Sequence, residues 1–284
     1  MKFTRTFAAT VCACVAAFTL SACSDEEKAT VTASNPGSDL KEIKVGLVGE
    51  HNEEWESVAK ELEGQGIKLT LVRFGDYTLP NAALNEGEID LNSFQHKAFL
   101  ENEIKSRGYK IKAIQNTTIS LLPLYSVKIK SIDEIKDGDT IAIPNDVTNG
   151  GRALKVLESA GLIKLDPAKG YVPEVGDIIE NPKNLKIYEL DAGNVPGILP
   201  DVAAGIVNAN FASDHNLTIE KDAIFSENLG NISPDNPFIN VIAAREEDAD
   251  REEYKKVIKA YATKKTAEII NQKYKGATIA VFKY

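Results

Sequence analysis

Apolar residues along the chain recur with two alternating periods. Ile43-Lys44-Val45-Gly46-Leu47-Val48 is a strand-like run, and Glu53–Glu63 follows with Trp55, Val58, Ala59 and Leu62 at helical spacing. The same alternation predicts a strand over Ile67–Phe74, a short helix over Pro80–Glu86, a strand over Ile89–Leu91, a helix from His96 to Arg107 and a strand from Tyr109 to Ile114. A strand over Leu121–Ser126 runs out of this first unit. The pattern then restarts with a strand over Thr140–Pro144 and a helix over Thr148–Ala160, and Leu185–Leu190 and Ala203–Val207 supply further strands. A last strand, Phe238–Ala243, precedes one long helix from Asp250 to about Gln272, whose apolar stripe includes Tyr254, Val257, Ile258, Tyr261, Ala267 and Ile270. Strand–helix alternation of this kind predicts an α/β protein with a mostly parallel sheet. Its length fits two lobes, 42–126 with 238–284 as the first and 127–237 as the second. No repeat with a period of roughly 20–50 residues is visible, which excludes solenoids and propellers.

The first 22 residues follow a different logic. Lys2 and Arg5 precede an apolar run from Phe7 to Leu20 that ends in small residues, a secretory signal layout too short to span a bilayer comfortably. Leu20-Ser21-Ala22-Cys23 resembles the bacterial lipobox, in which the signal is cut before the cysteine and the sulfur receives a lipid. Residues 1–22 are therefore expected to be a lipoprotein signal peptide and Cys23 the lipidated first residue, the other reading being an ordinary secreted protein with an incidental cysteine. Residues 24–41 contain no aromatic residue and many Ser, Thr, Asp and Glu, too little apolar surface to fold, so 23–41 is expected to act as a lipidated, flexible tether. A domain so tethered works at the outer face of the cell membrane and needs partners to move solute across it.

Composition narrows the function further. The chain has 42 acidic against 33 basic side chains, a net charge of −9, which argues against a nucleic-acid partner. Its 43% apolar and 26% charged residues are ordinary for a globular protein. The three cysteines, Cys12, Cys14 and Cys23, all lie near the start, leaving none in the body for a disulfide, a zinc site or a thiol nucleophile. The three histidines, His51, His96 and His215, form no HExxH, and neither a G-x-S-x-G nor a Walker loop occurs. Asn149-Gly150-Gly151-Arg152, at a helix start, could offer free N–H groups to an anion.

Four segments taken together are not generic: Asp76-Tyr77-Thr78-Leu79-Pro80-Asn81-Ala82-Ala83-Leu84, Gly87–His96 with its Phe94-Gln95-His96, Ile143–Leu154 with its Pro144-Asn145-Asp146 and Arg152-Ala153-Leu154, and Glu180–Leu185. Through them residues 42–284 resemble the NlpA/MetQ family of substrate-binding lipoproteins. The resemblance implies a two-lobed, periplasmic-binding-protein-like (type II) fold with a hinge between the lobes, closing over one small ligand. It implies a receptor rather than an enzyme, acting as a monomer, with no cofactor and no metal. L-methionine, with D-methionine as a second candidate, would be its ligand, and an ABC permease with its ATPase its partners. The aromatic walls fall by resemblance on Tyr77, Phe94, His96 and Phe99, the carboxylate-binding arginine on Arg152, and polar contacts on Asn149, Asn210 and Asn240.

The residue types suit that chemistry. A free amino acid brings two charges that a buried site must satisfy. Arg152 can fork onto both carboxylate oxygens, and Asn210 and Asn240 can offer oxygens to the ammonium. Rings around a thioether each contribute about 0.3–1.5 kcal/mol. Without the resemblance, Arg152 reads as a solvated helix residue, the asparagines as turn residues, His96 as a structural histidine, and Tyr77, Phe94 and Phe99 as core. Departures from the family pattern bear on specificity. Phe99 and Phe211 stand where relatives carry tyrosines, and Trp55 follows an unusual loop, Gly49–Glu54, as a cap on the site or as helix packing. Another apolar amino acid or a methionine dipeptide therefore stays open as ligand. So do an amino-acid enzyme using His96 as acid/base and an adhesin that kept the fold.

Overall fold

The computed structural model describes residues 40–229 and 232–284. The expected signal peptide, Cys23 and all but the end of the tether lie outside the described residues. The chain begins with β1 (Lys41–Val48), α1 (Glu53–Glu63), β2 (Ile67–Phe74), α2 (Leu79–Asn85), β3 (Leu91–Asn92), α3 (Lys97–Arg107) and β4 (Ile111–Ser120). Then come β5 (Leu124–Tyr125), β6 (Thr140–Pro144), α4 (Val147–Ser159), β7 (Lys164–Leu165), β8 (Ile178–Glu180), β9 (Lys186–Leu190), β10 (Ala204–Ile206), α5 (Ala209–Asp214), α6 (Ile219–Asp222) and β11 (Ala223–Phe225). It closes with β12 (Ile239–Arg245), α7 (Glu252–Tyr261), α8 (Lys264–Tyr274) and β13 (Thr278–Ala280).

These strands form two main sheets, ordered β13-β4-β12-β3-β1-β2 and β11-β5-β10-β6-β9, while β7 and β8 pair separately. The expected mostly parallel arrangement is corrected to a mixed one. β1 runs parallel to β2 and β3, but β12 is antiparallel to both its neighbours and β13 is antiparallel to β4. In the second sheet β6 is parallel to β9 and β10, whereas β5 is antiparallel to β10 and β11. The returning segments bring this about: β12 enters the first sheet after the chain has left the second, with no helical crossover to fix a parallel direction.

Burial follows the patterning. Ile43, Val45 and Leu47 of β1 meet Trp55, Val58 and Leu62 of α1 and Tyr254, Val257 and Tyr261 of α7 in one core. Ile141 and Ile143 of β6 meet Leu154 and Leu157 of α4 and Ile206 of β10 in a second. A third joins Val48, Tyr125, Ala142, Val207 and Phe211, with Phe74, Tyr77 and Phe94 packed against it, so that it draws on both sheets.

Three elements differ from expectation. The single long helix is two, α7 and α8, because Thr263 adopts extended backbone (φ −123°, ψ 157°) and its hydroxyl caps α8 by accepting from the Thr266 N–H at 3.2 Å. A threonine cap inside an apolar stripe ends a helix that periodicity alone would continue. The strand expected to stop at Ile114 runs on to Ser120, held between β12 and β13. Of Leu121–Ser126 only Leu124–Tyr125 is strand, and it belongs to the second sheet. Pro123 has no N–H to pair, and the chain changes sheets there.

The glycines of α4 also serve a purpose other than the one expected. Asp146 caps the helix by accepting from the Asn149 N–H at 2.9 Å, and the Gly150 N–H bonds to the Asp146 carbonyl, so these N–H groups are not open to an anion. A Cβ at Gly150 would lie 2.8 Å from the Pro144 carbonyl oxygen, and one at Gly151 2.8 Å from the Val172 Cα. The glycines let α4 approach backbone closely. Gly151→Ala is therefore expected to destabilise the fold by about 1–3 kcal/mol in urea unfolding, the overpacking cost outweighing alanine's helix advantage of about 1 kcal/mol.

Candidate functional site

All eight residues expected at the site line one cavity of about 100 Å3. The turn between β3 and α3 supplies Phe94 and His96, and α3 supplies Phe99. Tyr77 precedes α2, Asn149 and Arg152 come from the first turns of α4, Asn210 from α5 and Asn240 from β12. An isolated bridge between His96 and Asn240 closes the first-sheet side.

The aromatic wall is held by its own packing. Tyr77 stacks on Phe94 at 5.8 Å between centroids and meets Phe99 edge-on at 6.0 Å, and Phe94 meets Phe99 edge-on at 5.9 Å. Behind it lies an amide cluster. Asn81, Asn92 and Gln95 are all buried, and Asn81 Oδ1 accepts from Asn92 at 2.9 Å and from Gln95 at 2.6 Å while Asn81 Nδ2 donates to Gln95 Oε1 at 2.7 Å. These three belong to the segments that carry the family resemblance; they tie α2 to β3 and the turn that follows it, and Gln95 also lines the cavity.

His96 caps α3, its Nδ1 accepting from the Phe99 N–H at 3.1 Å. With Nδ1 an acceptor, Nε2 bears the proton and faces Asn149 Oδ1 at 3.3 Å. Burial, and secondarily the Arg152 charge, push the imidazole down to about 3. Asn149 is saturated: its Oδ1 also accepts from Asn208 at 2.8 Å and its Nδ2 donates to Asp146. It joins the two sides of the cavity rather than offering a free polar atom.

Arg152 is 5% exposed and does not present an open fork. It forms an ion pair with Glu227, its Nη2 donates to the Ser120 carbonyl at 2.7 Å, and its guanidinium lies 4.5 Å from the centroid of the Phe238 ring. Nε and Nη2 are thus engaged by the protein itself.

The amides on α5 and just before it are the unsatisfied part. Tyr77 donates its hydroxyl to Asn210 Oδ1 at 2.6 Å, which leaves Asn210 Nδ2 buried without a partner, so Asn210 offers a donor instead of the expected oxygen. Asn208 Oδ1 is likewise buried without a partner. Asn240 Nδ2 donates to the Thr118 hydroxyl at 3.1 Å. Burial drives the Tyr77 hydroxyl well above its ordinary range, so it keeps its proton.

Sequence reasoning missed Glu227, Phe238, Asn208 and Glu54. Glu54 lines the cavity from α1, its Oε2 bonded to nothing and 3.7 Å from Lys273 Nζ, with burial raising its pKa. Asn208 opens the segment Asn208-Ala209-Asn210-Phe211 that carries one of the departures from the family pattern, and Glu54 lies in the unusual Gly49–Glu54 loop, whereas Glu227 and Phe238 lie in no motif. Of the two departures noted in the sequence, Phe99 lines the cavity, whereas Phe211 is not part of the lining and packs against Tyr77 at 5.1 Å. Trp55 packs on Tyr261 at 4.7 Å within the first core, the helix packing considered for it, and it borders the cavity from there.

Two sheets with a walled cavity that draws on both describe a substrate-binding protein, and solved structures share this fold. The methionine-binding protein MetQ superposes with a TM-score of 0.81 at 42% identity, covering 86% of this chain and 99% of that one. A nutrient-binding protein of Burkholderia cenocepacia, solved bound to methionine, gives 0.79 at 43% identity over 84% of this chain and all of that one. The D-methionine-binding lipoprotein MetQ of Salmonella typhimurium is 41% identical over 279 residues, 97% of each chain. Residues 43–282 match the NlpA lipoprotein family, and the chain belongs to it.

The His96 environment makes a pH prediction. A histidine whose folded pKa is lowered to about 3 from an ordinary 6.5 contributes stability that is full above about pH 6.5 and is lost as pH falls toward about 3. Urea unfolding from pH 7 to pH 4 should therefore show a steeper loss in the wild type than in His96→Gln, which cannot take up the proton.

Proposed function

We propose that this protein is a lipid-anchored receptor that captures methionine outside the cytoplasm and hands it to an ABC importer. The observation that carries this reading is the pairing, in one cavity, of a ring wall with an unpartnered buried donor, Asn210 Nδ2, and an unpartnered buried acceptor, Asn208 Oδ1. Each such atom costs about 1–3 kcal/mol until a ligand or water meets it, and a zwitterion supplies the complementary pair. Tyr77, Phe94 and Phe99 take the thioether side chain. The ligand carboxylate meets Asn210 Nδ2 and the Nη1 edge of Arg152, the edge outside the Glu227 pair. The ammonium meets Asn208 Oδ1, with Asn240 beside it. Phe211 fills space behind Tyr77, so its missing hydroxyl does not change the lining, whereas Phe99 leaves the wall without that donor.

The names of the relatives support the ligand class, and so does the methionine-bound Burkholderia structure. The two sheets correspond to two lobes moving about the crossings near residues 121–123 and 226–229, and closure traps the ligand. Cys23 carries the lipid that holds the receptor at the outer face of the cell membrane, where a permease and its ATPase receive the cargo. The receptor works as a monomer, without a cofactor and without catalysis.

Residues 24–284, stripped of ligand, should melt a few degrees higher with L-methionine at a hundredfold excess over its dissociation constant, which corresponds to about 2.7 kcal/mol of stabilisation. Arg152→Ala should abolish that shift. A shift with another amino acid or a methionine dipeptide but none with methionine would keep the receptor and replace the ligand. In cells, Cys23→Ala should move the protein from the membrane fraction to the soluble one.

A further inference from the structure

α5 carries Asn210 in its first turn and Asp214 in its last, four residues apart and so on one face of the helix. The turn from Gly49 to Asn52 approaches that face from the first sheet. Every carbonyl of its first three residues is committed: the Gly49 oxygen accepts from Asn52 Nδ2 at 2.9 Å, the Glu50 oxygen from Arg73 Nε at 3.2 Å, and the His51 oxygen from Lys273. The Gly49 N–H bonds back to the Phe74 carbonyl at 3.2 Å, which leaves the N–H groups of Glu50 and His51. Both donate to Asp214: the Glu50 N–H reaches both carboxylate oxygens at 3.1 Å and the His51 N–H reaches Oδ1 at 3.4 Å.

Gly49 makes the approach feasible. Its φ of +90° is one that side chains rarely adopt, and a Cβ there would lie 2.8 Å from Asp214 Oδ2 and 3.5 Å from Asn210 Cβ. The turn thus seats the Asp214 carboxylate and passes beside Asn210.

We propose that Asp214 is a positioning residue for ligand capture: its bonds to the Glu50 and His51 N–H groups clasp α5 to the first sheet and thereby hold Asn210 against Tyr77 with Nδ2 presented to the ligand. This rests on the reading of Asn210 as a ligand contact. Asp214 is not part of the cavity lining, so its effect on binding must pass through α5.

The test is a double-variant cycle read by titration with L-methionine, together with amide hydrogen exchange on the protein with and without L-methionine. Asp214→Ala should weaken L-methionine about tenfold in the wild-type background and less than twofold in Asn210→Ala, because coupled residues are not additive. Asp214→Asn, which retains one acceptor oxygen, should recover part of the loss. With L-methionine bound, exchange at the Glu50 and His51 amides should be slow in the wild type and fast in Asp214→Ala, with Leu47 in β1 unchanged. Equal affinity for wild type and Asp214→Ala would overturn the proposal, as would losses that simply multiply in the double variant. If the wild type binds no L-methionine, the proposed function fails, and exchange alone decides the clasp: unchanged exchange at Glu50 and His51 overturns it, and faster exchange in Asp214→Ala upholds it.

Discussion

Arg152 carries a full charge almost out of reach of water, and much of the chain around the passage between the two sheets is arranged to keep that charge paired. Its partner Glu227 lies in one of the two segments that cross between the sheets, and the other Arg152 bonds reach the second crossing. Nη2 holds the Ser120 carbonyl at the end of β4, and Glu227 accepts the Leu122 N–H at 2.9 Å. Phe238, at the entrance to β12, lies against the guanidinium. Both crossings are thus tied to one side chain on α4. Removing one member of such a pair leaves a buried charge uncompensated, at a cost of about 3–5 kcal/mol, so the arginine that faces the cavity is also a structural fastening.

This double duty explains how the site separates its tasks. Groups needed for shape are saturated within the protein: Asn149 by His96, Asn208 and Asp146, and the Asn81, Asn92 and Gln95 cluster by its own members. Groups left unsatisfied in the cavity are few: the acceptors Asn208 Oδ1 and Glu54 Oε2 and the donor Asn210 Nδ2. The ring wall and the amides around it are therefore fixed within the protein, which limits the side-chain ordering that binding must bring about.

Elements built on local amphipathic spacing, such as α1, β2 and α4, were legible in the sequence within a residue, because burial of one face dictates both the period and the structure. Those that depend on distant pairing were not. The antiparallel entry of β12, the extension of β4 between β12 and β13, and the transfer of Leu124–Tyr125 to the second sheet are decided by partners far away in the chain. The cap at Thr263 was visible as a residue type but hidden by the apolar stripe around it. The site divides the same way. Residue types and the resemblance brought eight side chains to one cavity, yet which of their atoms are free was decided by Glu227, Tyr77 and Asn208, and no spacing rule links these to Arg152, Asn210 and Asn149.

Asn149 followed by Gly150 has a chemical consequence as well. In an unstructured chain an asparagine before glycine ages readily, because the unhindered glycine nitrogen attacks the side-chain amide and expels ammonia. In this fold the Gly150 N–H is committed to the Asp146 carbonyl at 2.7 Å, the helix holds the attacking nitrogen in place, and the Asn149 amide is engaged at both ends. The lesion would replace the Nδ2 donor to Asp146 by a second carboxylate oxygen, setting two like charges against each other at the start of α4. Its rate is therefore governed by how often the first turn of α4 opens, which makes the working lifetime of the protein a property of local stability rather than of composition.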